Sequence, residues 1–109
     1  MGMDVELLVV PNCPSEKGAL ALALGALRDV GLAGSVTTTV ITTDAQAVTR
    51  GFTGSPTFLV NGLDPFAVPG ASVGVACRLY RTPDGLTGLP PMEALRAALR
   101  SQPPSGDAG

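Results

Sequence analysis

The sequence predicts an α/β domain: a four-stranded mixed sheet in the order β-α-β-α-β-β-α, with helices on both faces. Three observations lead there. Short apolar or β-branched runs alternate with helical patterns through the first half of the chain. Two extended segments then follow with no helix between them. Hydrophobic residues make up 45% of the 109 positions and charged residues 15%, a balance that favours a packed core over disorder. The length suffices for one core and not two. Residues 1–100 therefore read as one domain, and the polar, Pro/Gly-rich residues 101–109 as a disordered tail.

The first strand is residues 4–10, which alternate loosely into Leu7-Leu8-Val9-Val10 and stop at Pro11. In the helix that follows, Pro14 suits the first helical position and Glu16 the third, which makes Cys13 the N-cap. Leu20, Leu24, Leu27 and Val30, with Ala23, recur at helical spacing as a core stripe, and Gly31 suits the position just past the end. Residues 36–43 are dense in β-branched side chains and predict a second strand. Asp44 caps a short helix running to about Arg50. Residues 57–60 are a third strand, closed by the turn signal Asn61-Gly62.

Residues 63–72 read as a loop. Val73, Val75, Cys77 and Leu79 then alternate with Gly74, Ala76, Arg78 and Tyr80, a period-two strand. Residues 83–88 are a turn or loop. Pro90 and Pro91 lead into a last helix with Met92, Leu95 and Leu99 on one face. Helical connections predict parallel pairing among the first three strands, and adjacency predicts an antiparallel last pair.

Composition narrows the chemistry. Histidine is absent, which removes Ser-His and Cys-His nucleophile pairs and the common zinc sets. The net charge of -2 is spread without a basic stripe, so no nucleic-acid partner is expected. The apolar stretch 19–27 is far shorter than the ~20 residues that span a bilayer, so no membrane partner is expected. The first residues lack a positively charged leader pattern, and the expected location is cytoplasmic. No cofactor is called for, and a monomer or weak dimer is expected. Two cysteines, Cys13 and Cys77, are too few for a disulfide scaffold.

Two local motifs carry a resemblance. One is Val9-Val10-Pro11-Asn12-Cys13-Pro14-Ser15-Glu16, a cysteine between the first strand and first helix. The other is Gly54-Ser55-Pro56-Thr57-Phe58, directly before the third strand. With the element order, these resemble the thioredoxin-like superfamily over roughly residues 4–100, and more closely its degenerate or monothiol bacterial members. Glu16 stands where dithiol members carry a second cysteine, and Asn12 where they carry a tryptophan. The resemblance implies a nucleophile at Cys13, a cis bond before Pro56, and a thiol or peptide site lined by Asn12, Ser55, Pro56 and Thr57.

Physical chemistry bears on each residue. Free N–H groups and the dipole at a helix start favour a thiolate at Cys13; Lys17 adds to this and the Glu16 carboxylate opposes it. The competing reading is a small capping residue. Cys77 reads first as a buried core thiol. As a second thiol for Cys13 it faces a distance argument. An antiparallel fourth strand begins at the far end of the sheet, and four strand residues span about 13 Å, against the roughly 7 Å between Cα atoms that a disulfide tolerates. An irregular loop over 63–76 would undo that estimate. Arg78 and Arg81 read as solvated edge charges, with an anionic ligand such as glutathione as the sharper alternative. Asp64-Pro65-Phe66 reads as a turn, with Phe66 over the core.

Three functions stay open on these grounds. The first is a thiol-redox or thiol-binding protein whose Cys13 forms a mixed disulfide with a protein or low-molecular-weight thiol. The second is a binding module with no redox activity. The third and weakest is capture of a soft metal, mercury or copper(I), by thiolate. The sequence leaves open whether the protein is an enzyme.

Overall fold

The run ending at Val9 forms the centre of the sheet. In the computed structural model, which describes residues 3–101 apart from positions 33 and 69, β1 (Met3–Val9) lies between β2 (Gly34–Val40) and β3 (Thr57–Val60). β2 pairs parallel to β1, with Val5 opposite Val36 and Val9 opposite Val40. β3 pairs antiparallel, with Val5 opposite Val60 and Leu8 opposite Thr57. A strand covered on both faces carries apolar residues in succession, and Val5, Leu7, Leu8 and Val9 are all buried.

The three helices are α1 (Glu16–Asp29), α2 (Asp44–Arg50) and α3 (Met92–Ser101). On one face Val5, Leu7 and Phe58 pack with Ala19, Ala23 and Leu27 of α1 and Leu95 and Leu99 of α3. On the other, Leu8 and Ile41 pack with Ala47 of α2 and with Phe52. The chain is thus an α/β fold with a mixed sheet covered on both sides. No helix of the described residues is long and apolar enough to cross a membrane.

Several sequence expectations need correction. β3 runs antiparallel to β1, where parallel pairing is expected from a helical crossover. The cause is the length of α2: its seven residues span about 10 Å, while the seven of β2 span about 23 Å. The chain therefore re-enters the sheet from the end it left. The stripe on α1 is also rotated. Ala19, Ala23, Ala26 and Leu27 face the core, while Leu20 and Leu24 are exposed; a face of small residues lets the helix lie close on the sheet. The caps are shifted by residues too: Ser15 is the N-cap of α1 in place of Cys13, and Thr43 that of α2 in place of Asp44, where it forms a capping box with Gln46.

The fourth strand of the main sheet is absent from the described residues. Residues 73–79 form no strand, and Val73, Val75 and Leu79 stay exposed, so their alternation has no apolar face to bury. Instead β4 (Tyr80–Thr82) and β5 (Gly85–Thr87) make a separate antiparallel hairpin. The Pro83-Asp84 segment, within the stretch expected as a turn or loop, is its turn, Gly85 takes the left-handed φ of 110° that closes it, and residues 85–87 of that stretch form β5. The elements expected at Asn61-Gly62 and Gly31 form as read, with positive φ at all three. The expected tail falls, past Ser101, outside the described residues.

Candidate functional site

The site is built where two turns meet at one end of β1. After Val9 the chain turns through Asn12, whose φ of 58° is one that Asn tolerates better than most residues. This places Cys13 ahead of α1, with its carbonyl accepting from the Glu16 N–H at 3.2 Å. Cys13 is buried, with 8% of its surface exposed, whereas Asn12, Pro14 and Lys17 are exposed. Ser15 makes no side-chain cap bond to the helix.

The second turn carries Ser55, joined to Pro56 by a cis peptide bond. Ser55 is buried, and its hydroxyl links the two turns. It accepts from the Val10 N–H at 3.1 Å and donates to the Cys13 sulfur at 2.9 Å. A hydroxyl has one proton and two lone pairs. With the backbone N–H held on the oxygen, the proton is directed at sulfur.

Residues 74–78 run alongside this second turn. Gly74 N–H donates to the Phe52 carbonyl at 3.1 Å, Ser55 N–H to the Ala76 carbonyl at 2.8 Å, and Arg78 N–H to the Ser55 carbonyl at 2.9 Å. Ser55 and Cys77 are thereby partners in a parallel bridge. Gly54 makes the approach feasible. It holds a φ of 138°, and a Cβ there would sit 2.7 Å from the Arg78 Cβ.

Arg78 anchors this strap. Expected as a solvated edge charge, it is the reverse: its side chain is 9% exposed and pairs with the Asp64 carboxylate at 2.8 Å. It also donates to the Phe66 carbonyl and lies 4.7 Å from the centre of the Tyr80 ring. Tyr80 donates its hydroxyl to the Pro56 carbonyl, and burial pushes its phenol well above the usual range; the Asp64 carboxylate adds to the shift and the Arg78 charge opposes it. Phe66 covers the core as expected, edge-on to Phe58 and Tyr80. Arg81 is exposed, as expected.

Cys13, Asn12, Ser55 and Pro56 are thus brought together. Thr57 follows them, buried like Ser55 and Pro56, and its hydroxyl donates to the Gly54 carbonyl at 2.5 Å. Cys77 departs most from expectation. It is exposed rather than in the core, and it stands beside the second turn rather than at the far end of a strand. A cleft of about 280 Å³ lined by Thr53, Val68, Ala71, Cys77, Arg78 and Leu79 opens there.

Sequence reasoning does not identify Val10, Tyr80 or the strap as parts of the site. The available signal was Gly54, since a lone glycine beside a strand marks a close backbone approach. Among the described residues, no three His, Cys, Asp or Glu side chains come together as a metal site. Comparison with protein-family models, with curated proteins and with solved structures gives no match, so a functional reading stands on the geometry alone.

Proposed function

We propose that this is a thioredoxin-like protein that carries out thiol–disulfide exchange at Cys13 with a low-molecular-weight disulfide. The observation that carries the reading is the Ser55 hydroxyl, fixed by the Val10 N–H and donating to the Cys13 sulfur. A hydrogen bond to sulfur stabilises the electron-rich form that attacks. The strand order β2-β1-β3 with β3 antiparallel, and the meeting of the Cys13 and Ser55 turns, support the superfamily reading.

The occupied backbone of Ser55 favours a small substrate. Its N–H and carbonyl are both spent on residues 76 and 78, so an extended peptide finds no free ladder position there. A small disulfide needs none. In the exchange, the Cys13 thiolate attacks one sulfur of the disulfide. The old S–S bond breaks, a new one forms to Cys13, and the departing thiolate takes up a proton. A second thiol then attacks the mixed disulfide and releases Cys13.

The test uses the Cys77→Ser variant, so that one sulfur is read. Incubated with glutathione disulfide under native conditions, it should gain one glutathione at Cys13 by mass. Adding Ser55→Ala should slow that gain about fivefold, the equivalent of roughly 1 kcal/mol for one hydrogen bond. A Cys13 that stays unmodified when folded and reacts only in denaturant would refute the reading.

A further inference from the structure

The strap that covers Ser55 brings a second sulfur to the site. Ser55 adjoins both cysteines: its hydroxyl donates to the Cys13 sulfur, and the hydrogen bonds on either side of Cys77 make that residue its bridge partner. Bridge partners stand about 4.8 Å apart with side chains to the same side of the ladder. The far-end placement behind the earlier ~13 Å separation therefore does not hold. Cys77 is exposed and Cys13 is buried, so of the two sulfurs Cys77 is the one that meets solvent. The strap's position is set by the Gly54–Arg78 approach and the Arg78–Asp64 ion pair. It does not depend on the cysteine itself.

We infer that Cys77 is the resolving thiol for Cys13, so that one chain reduces one small disulfide by itself. The inference rests on the exchange reading above and supplies its second thiol. Cys13 attacks the small disulfide, displacing one small thiol and forming the mixed disulfide. The Cys77 thiol gives its proton to solvent and attacks the Cys13 sulfur. The bond from Cys13 to the small molecule breaks, its thiolate leaves and is protonated, and a Cys13–Cys77 disulfide remains. The small disulfide has gained two electrons and the chain has lost two. A low-molecular-weight thiol in excess returns the chain to the dithiol.

The experiment treats the full chain, folded, with dithiobis(nitrobenzoate) and follows nitrothiobenzoate release together with intact mass. The wild type should release two equivalents and end without adduct, lighter by its two thiol hydrogens, and a tryptic digest should link the peptides containing Cys13 and Cys77. The second release should proceed at a rate independent of reagent concentration, as an intramolecular step does. Cys77→Ser should release one equivalent and keep the adduct on Cys13. A wild type that carries an adduct on each sulfur, while Cys77→Ser still loads Cys13, would overturn the inference and leave the exchange reading intact. A Cys77→Ser chain that takes no adduct would overturn both. Cys77 is exposed, so its replacement by Ser leaves the core untouched.

Discussion

Tyr80 closes the site from the side of the strap, and its hydroxyl is the group to test at the scale of a residue. It donates to the Pro56 carbonyl inside the core, so Tyr80→Phe leaves that acceptor unpaired. The expected loss is about 1–3 kcal/mol, read from urea unfolding. The phenol also fixes an alkaline limb. Its folded pKa is raised, first by burial. Below about pH 10, the ordinary value, folded and unfolded chains are both protonated and the full stability is present. Above it the unfolded chain ionises first, and stability falls as the pH rises toward the folded value. Tyr80→Phe should remove this part of the alkaline loss, which equilibrium unfolding between pH 9 and about 11 would detect. The sequence marked Cys13, Ser55 and Pro56 because a cysteine after a strand and a Ser-Pro before one are local patterns. It could not mark Tyr80, whose role comes from a contact 24 residues away.

At the scale of elements, the decisive one is the strap, residues 74–78, which the alternation of Val73, Val75, Cys77 and Leu79 misrepresents as a strand of the sheet. Period-two patterning reports which residues share a side. It does not report whether an apolar surface waits to receive them. Here none does, and the segment is held by backbone bonds to Phe52 and Ser55 and by Arg78 beneath it. Gly54→Ala tests this attachment. The new Cβ would sit 2.7 Å from Arg78 Cβ at a φ of 138°, a backbone region that costs a side chain about 1–3 kcal/mol. The strap should detach before the sheet does. Limited trypsin digestion should cut after Arg78 faster than in the wild type, with far-UV circular dichroism little changed. Equal cutting rates would mean that the strap is held elsewhere.

For the whole molecule, the two faces of the sheet differ in what holds them. One is a large apolar core under α1 and α3, with Leu95 and Leu99 fully buried. The other is a small cluster under α2, and there an ion pair between Glu6 and Arg50 ties β1 to α2. The Arg50 hydrogen bond, chiefly, holds the Glu6 carboxyl below its ordinary range; the Thr39 hydroxyl helps and partial burial opposes. A lowered folded pKa gives stability that is present above the unfolded value, about 4.3, and lost as the pH falls through the folded one. Both partners are substantially solvated, at 36% and 28% exposure, so screening limits the contribution to about 0.5 kcal/mol. Glu6→Gln should cost that much at pH 7 and flatten the acid limb below about pH 4.3. Chemical denaturation at the two pH values measures both.

The sequence alone determined what depends on near neighbours. The strands at the two ends of β1's pairing, the three helices, the left-handed turns at Gly31 and Asn61-Gly62, and the placing of a cysteine and a Ser-Pro beside the sheet are all fixed by local propensity and sterics. Tertiary structure decided what depends on competition between distant surfaces. The shortness of α2 reversed β3, the Ala-rich face of α1 outcompeted its Leu stripe, and Arg78 was drawn in under the chain. The same competition moved Cys77 from an imagined far strand to the partner of Ser55. Backbone donors left free by one strand must be satisfied by whichever segment can reach them, and no short-range pattern names that segment.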